Sequence, residues 1–309
     1  MELTEVDYPH VPTLQVYELK VLGAVRVTDR VVSVRIRTVS VLPSTGDTFL
    51  ELVFKTHMRA LKQGSETWLR ARKGFLITGS RIPCLVGCHY ESLNSFYQKK
   101  MFGKERTKSA LALECMKWGS DMEELAYKDF LDDIATMPII RHHMCTDTDW
   151  KYSNGLHIWR KNTDVAASPD GVGYRKGVPT WCLEIKCPYQ GVWHMNKPVD
   201  LFRKKPQHWI QLQMNMACCR TPFGAFYVWA RSEEGTLRKL ILCNEDRKFV
   251  GYLERKIRWF AEVMQAERAK MPEYRAEKLH VPRGWRAEAL KEIKDSVKRS
   301  VWFEDEFTQ

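Results

Sequence analysis

The sequence predicts an α/β fold, and three observations predict it. Segments with helically spaced apolar residues alternate with short runs rich in β-branched and aromatic residues. A turn motif opens what reads as a β-hairpin over residues 167–188, "ASPDGVGYRKGVPTWCLEIKCP". Two apolar runs, "PFGAFYVWA" and "GTLRKLILC", read as buried strands and lead into a long amphipathic helix over 246–271.

The chain has 309 residues, of which 44% are hydrophobic and 28% charged. That is enough for one large domain and a small accessory one. No stretch approaches the ~20 consecutive apolar residues that span a bilayer. The start, "MELTEVDYPH", is acidic and lacks the layout of a signal peptide. These features exclude membrane-spanning and secreted classes and predict an intracellular, reducing compartment, the cytoplasm or a nucleus. The nine cysteines, an odd number, read as reduced thiols. A net charge of +11 and a pI near 9.2 suit a polyanionic partner, nucleic acid foremost.

Taken in order, residues 12–57 show apolar–polar alternation, clearest in "VVSVRIRTVSV", and predict a β-rich N-terminal appendage over 1–62. The main domain is expected over 63–270, with a basic helix or tail over 271–309. In "ITGSRIPCLVG" a helix is predicted from Arg81 or Pro83, with Thr78 or Ser80 as its cap. Hydroxyls and arginines at a helix start form an anion pocket. Cys84, Cys88 and His89 resemble half a zinc site, but no second pair follows at the usual spacing. They read as small buried residues.

In "KWGSDMEELAYKDFLDD" the apolar stripe is Met122, Leu125, Ala126 and Phe130. Glu124 falls opposite that stripe, whereas Glu123 lies at its border and looks into a groove. Residues 139–167 read as short strands, with His142 and His143 structural. A helix is predicted from about Pro206. On it Gln211, Met214 and Cys218 share one side, and Gln213 lies about 200° from Gln211.

The hairpin carries the chemistry. Side chains two apart on a strand share a face. Glu184 and Lys186 therefore stand with Cys182, and Leu183, Ile185 and Cys187 face the other way. Asp170 sits in the Ser-Pro-Asp-Gly turn. Locally this pattern fits either an ion pair or a metal site. As a metal site, Asp170, Glu184 and the Ile185 carbonyl offer hard oxygens suited to Mg²⁺. Glu123 would complete a second position, and Lys186 would orient an attacking water or a phosphate oxygen. Phosphodiester hydrolysis needs these functions.

Five motifs in order, "ITGSRIPCLVG", "WGSDMEELA", "SPDG", "LEIKCP" and "HWIQLQMNMA", resemble the lambda-exonuclease-type, YqaJ-like viral recombinase nucleases of the PD-(D/E)xK superfamily. The resemblance covers roughly residues 65–260. It implies a central mixed sheet flanked by helices. It makes Asp170, Glu184 and Ile185 metal ligands for one or two Mg²⁺ ions, with Mn²⁺ as a substitute. Lys186 becomes the catalytic lysine, Glu123 the helix acid that assists the metal, and Gln211 the glutamine that orients the lysine and the phosphate. Arg72 and Ser80 fall within about a residue of the family's 5′-phosphate pocket, with Thr78 and Gln213 as further contacts. A cluster-bearing branch of related nucleases needs cysteines near the C-terminus, and none follows Cys243.

The resemblance implies a Mg²⁺-dependent 5′→3′ exonuclease on linear duplex DNA, acting in recombination, repair or viral replication. It further implies a ring-shaped trimer and a single-strand annealing partner. The alternatives are an endonuclease or dual DNase/RNase of the same fold, and a non-catalytic DNA-binding protein.

Overall fold

The computed structural model describes residues 58–309, apart from 105–106, 145–146, 153–154, 190–197, 233–234, 272–274 and 309, together with a short strand pair further upstream. That pair, β1 (Val25–Arg26) and β2 (Val31–Val32), is antiparallel. The other strands expected over 12–57 lie outside the described residues. The chain divides into compact units Met1–His57 and Met58–Gln309.

The second unit is built on a mixed six-stranded sheet in the order β11-β10-β9-β8-β7-β4. These strands are β4 (Thr148–Tyr152), β7 (Gly171–Arg175), β8 (Val178–Lys186), β9 (Phe223–Ser232), β10 (Gly235–Asn244) and β11 (Val301–Thr308). All neighbours are antiparallel except β8 and β9, where Glu184 pairs with Phe226 in parallel register. Parallel neighbours need a crossover. Here α6 (Asp200–Lys204) and α7 (Pro206–Cys219) supply it.

Alternation along the strands sends residues to two cores. Val172, Cys182, Phe226 and Ile241 pack under α7 and α8 (Arg247–Ala269). Trp181, Leu183, Ile185, Tyr227 and Leu240 pack under α4 (Ala110–Thr136) and α5 (Pro138–Met144). The sheet is thus covered on both faces, as the predicted fold class requires. Helix α7 is buried almost all round, from Trp209 to Cys219, because it is wedged between the sheet and the outer helices.

A small second sheet joins β3 (Ile77–Thr78), which follows α1 (Glu66–Gly74) in the chain, to β6 (Val165–Ala167) and β5 (His157–Ile158). Gly79–Arg81 then form one 3₁₀ turn into α2 (Ile82–Leu85). Further on come α3 (Leu93–Phe102) and, near the C-terminus, α9 (Trp285–Ser300).

Three expectations need correction. Residues 138–144 are helix α5 rather than strand. His143 on it meets Trp302 edge to face, with centroids 4.9 Å apart, so aromatic contact outweighs β-propensity there. No side chain caps the 3₁₀ turn. Thr78 is instead buried in β3, paired with Ala166, and Ser80 lies inside the turn. Leu125 is exposed, so the buried stripe of α4 is carried by Ala126, Tyr127 and Phe130. Residues 271–309, expected as a basic helix or tail, contain helix α9 and strand β11. Ala289 and Ile293 of α9 enter the core, and β11 completes the sheet along β10. No helix among the described residues is long and apolar enough to cross a membrane.

Candidate active site

The hairpin β7–β8 turns at Lys176 and Gly177, whose φ values of 49° and 76° are both left-handed, as a type I′ turn requires. Its two strands end unevenly. Pairing runs only as far as Gly171 opposite Leu183, and the Asp170 amide donates to the Leu183 carbonyl. Beyond that point the Asp170 carboxylate takes over the ladder and accepts the Ile185 N–H at 2.6 Å. The N–H and C=O of one strand residue face the same neighbour. The Ile185 carbonyl therefore also faces the Asp170 side, where a ligand role places it.

Glu184 is fully buried on the α7 side of the sheet. Lys186 donates to its Oε1, and Asn215 Nδ2 of α7 donates to its Oε2 at 2.7 Å. Lys186 keeps 25% of its side chain exposed, whereas Glu184 keeps none. Glu123 reaches the same place from α4, where the Tyr152 hydroxyl donates to its Oε1 at 3.2 Å. Glu124 is exposed and pairs with Lys128 at 3.0 Å, as expected of the outer face. Gln63 bonds Asp170 and accepts from the Ser168 hydroxyl at 3.0 Å.

Arg72 and Ser80 come together. Arg72 Nη2 donates to Ser80 Oγ at 2.7 Å, and its guanidinium lies 4.8 Å from the Trp68 ring centroid. Burial and the neighbouring Arg81 weaken its charge, while Glu184 and Asp170 support it. Arg72 thus stands within electrostatic reach of the acids.

Gln211 is half-buried one turn before Asn215, on the same helical face. Gln213 does not join the site. It is fully buried, its Nε2 donates to the Asn244 carbonyl, and its Oε1 accepts the Asp246 N–H at 2.8 Å. Its amide anchors the start of α8, and no group is left over to meet DNA.

The acids strain against one another. Burial first, then the Asp170 carboxylate, push Glu123 up to about 8, against the pull of Lys186. Burial likewise raises Glu184 to about 8, with Lys186 opposing and Asp170 adding to the rise. Asp170 is raised by burial despite Lys186 and the Ile185 N–H. Burial works against the charge of Lys186, but Glu184, Asp170 and Glu123 hold it above lysine's ordinary value. Three crowded carboxylates with hard oxygens, short of positive charge, fit a divalent cation. Asp170, Glu184 and the Ile185 carbonyl would hold it, with Glu123 beside them.

A different group, Cys84, His89 and Glu91, brings ligand atoms within 4.8 Å of one another. Two of its ligand atoms already have partners. Arg81 pairs with Glu91 at 2.5 Å, the Glu91 N–H bonds His89 Nδ1 at 2.9 Å, and burial pushes the Cys84 thiol up to about 12. The cluster thus contains one ion pair, beside a buried Cys84 and a half-buried His89.

The raised acids predict a pH dependence. In the unfolded chain Glu123 and Glu184 lose protons near 4.5, but in the folded chain only near 8. Between those values the folded state holds more protons, so stability falls as pH rises. His89, half-buried and lowered by desolvation to about 4 from 6.5, contributes the opposite slope below 6.5. The melting temperature in EDTA is therefore expected to fall from about pH 6.5 to 8.5. Glu184→Gln should flatten that fall. An equal slope in both proteins contradicts the assignment.

The family model of the YqaJ-like viral recombinase domain matches residues 67–222. The chain belongs to that family. All five quoted motifs fall inside the match, which ends just before β9. A YqaJ-family chain with this acid set is a nuclease, a hydrolase of phosphodiester bonds.

Among solved structures, an alkaline exonuclease (LHK-Exo) from Laribacter hongkongensis is 21% identical, with a TM-score of 0.47, covering 66% of this chain and 94% of that one. Its complex with dAMP gives the same identity and coverage and a TM-score of 0.46. A phage-related exonuclease from Haemophilus somnus 129PT is 11% identical, with a TM-score of 0.38, covering 69% and 93%. No curated protein matches the chain.

The YqaJ domain contains two features that sequence reasoning missed. Asn215 lies four residues beyond Gln211, a helical spacing that could have flagged it. Tyr152 carried no signal, since only the packing of β4 against α4 brings it to Glu123.

Proposed function

We propose that this protein is a Mg²⁺-dependent deoxyribonuclease that digests linear duplex DNA as a 5′→3′ exonuclease, in recombination, repair or viral replication. One observation carries the reading: Asp170, Glu184, Glu123 and Lys186 converge at the uneven end of one hairpin, in a YqaJ-family domain. When bound, Mg²⁺ supplies charge neutralisation and a water made nucleophilic at neutral pH. Mn²⁺, with similar oxygen preference, should substitute. The residues do the rest. Asp170 and Glu184 fix the position of the reaction along the strand end. Lys186, partly exposed, donates to a water or a phosphate oxygen. Gln211, on the face of α7 that carries Asn215, is placed to orient that phosphate. The Arg72–Ser80 pair supports capture of a terminal 5′-phosphate.

The basic tracts Arg70 to Lys73, Lys99 to Lys108 and Arg203 to Lys205 serve as backbone contacts that position DNA without reading its sequence. Binding should then weaken steeply with salt. A homotrimer and a single-strand annealing partner complete the reading. The described cysteines are free thiols, which suits a reducing compartment.

The test compares 5′-phosphorylated linear duplex, 5′-hydroxyl linear duplex and closed or nicked circles, each with Mg²⁺ or EDTA. Digestion is expected only with Mg²⁺, fastest on the 5′-phosphorylated ends and absent on circles. Arg72→Ala should erase the preference for the 5′-phosphate, by about tenfold or more, because a charge-assisted bond is lost. Cutting of closed circles at the linear rate would replace the exonuclease reading with an endonuclease.

A further inference from the structure

We infer that Asn215 is a positioning residue for the metal site, held by a cradle that Gly79 leaves open. The inference rests on the nuclease reading above and deepens it. Asn215 is 1% exposed, on the α7 face turned to the sheet, and its side chain lies 2.7 Å from Glu184 Oε2. An amide oxygen facing a carboxylate oxygen at that distance would be repelled, so the NH₂ end faces Glu184. The Oδ1 end then faces Gly79, where a side-chain carbon would sit only 2.7 Å away. No residue with a Cβ fits there unless the amide moves.

Gly79 opens the 3₁₀ turn that also carries Ser80, the partner of Arg72. One amide therefore bonds the Glu184 carboxylate on one side and packs closely against the turn that presents the phosphate-side pair on the other. It does so by using one Glu184 oxygen and leaving Oε1 toward Lys186. A carboxylate with one oxygen fixed has fewer orientations to lose when a cation binds. Partners of this kind are worth about 10- to 100-fold in metal affinity or activity.

The test uses Mn²⁺ alone as probe, titrated calorimetrically into wild type, Asn215→Ala and Gly79→Ala. Thermal unfolding in EDTA is measured beside it, together with the Mg²⁺ concentration that half-saturates digestion. Both variants are expected to weaken Mn²⁺ binding by about 10- to 100-fold and to raise the half-saturating Mg²⁺ similarly. Turnover at saturating Mg²⁺ should recover toward wild type. If the variants unfold at lower temperature yet bind Mn²⁺ within about twofold of wild type, Asn215 only packs and the inference falls. Should Asn215→Ala not fold, Gly79→Ala decides alone by the same criterion, since it displaces the amide without removing it. A wild type that neither binds Mn²⁺ nor digests DNA defeats the nuclease reading itself. A wild type that does both, with variants that match it, defeats only this inference.

Discussion

Lys186→Ala is expected to lower turnover on linear duplex DNA by about 10³-fold, the range for loss of a group acting in the transition state. Mn²⁺ affinity should stay the same or tighten. The reason is electrostatic. The Lys186 ammonium bonds Glu184 and acts on Asp170 and Glu123. Its loss leaves the three acids more in need of a cation, so binding of the ion does not suffer. What disappears is a partly exposed donor beside the acids, where a water or a phosphate oxygen would stand. Single-turnover digestion and calorimetry on one preparation separate the two effects. Turnover within tenfold of wild type would remove Lys186 from the reaction. Digestion absent from wild type and variant alike, with DNA still bound, would favour a binding protein.

The largest stability effect is expected from Asp133→Ala, about 3–5 kcal/mol, the cost of breaking a buried pair. Asp133 and Arg238 are both almost fully buried, with Oδ1 and Nη1 2.6 Å apart. The second carboxylate oxygen accepts the Tyr227 hydroxyl at 2.7 Å. Removing the acid strips a buried guanidinium of that partner and orphans the Tyr227 hydroxyl. The melting temperature should drop by roughly 10 °C for a unit of this size. Replacing Arg238 by methionine in the same chain should restore much of the loss, because the desolvated charge goes too. A drop no larger than an exposed pair gives would contradict this. Asp133 lies on the helix that carries Glu123, about three turns further on. A loosened α4 should therefore also blunt activity before the protein melts.

The local signals that could be read were those confined to one element. The parity of Glu184 and Lys186, the turn at Lys176 and Gly177, the buried run of β9 and the amphipathic α8 depend on neighbours within a few residues. So does the choice of Glu123 over Glu124, which follows from helical phase. What sequence could not show was set by contacts between distant segments. The stretch Pro138–Met144 carries β-branched residues, yet it is helical because His143 finds Trp302 and Phe303 near the other end of the chain. Gln213 matched a motif, but the start of α8 claims its amide. Asn215 drew no notice because its partner is a strand residue 31 positions away. Thr78 was read as a cap, but pairing with Ala166 fixes it in a strand.

β11 is the last element of the chain, and it lies along β10 from Leu237 to Cys243. A protein shortened to stop before Val301 would keep every acid of the hairpin. It would also bare a long apolar strand with a free row of amides and carbonyls. Such a fragment should clump with its own kind at concentrations where the whole protein stays dispersed. Strand β11, Val301–Thr308, therefore acts as a guard against fibre-like stacking, a duty that no comparison of catalytic motifs would bring to light.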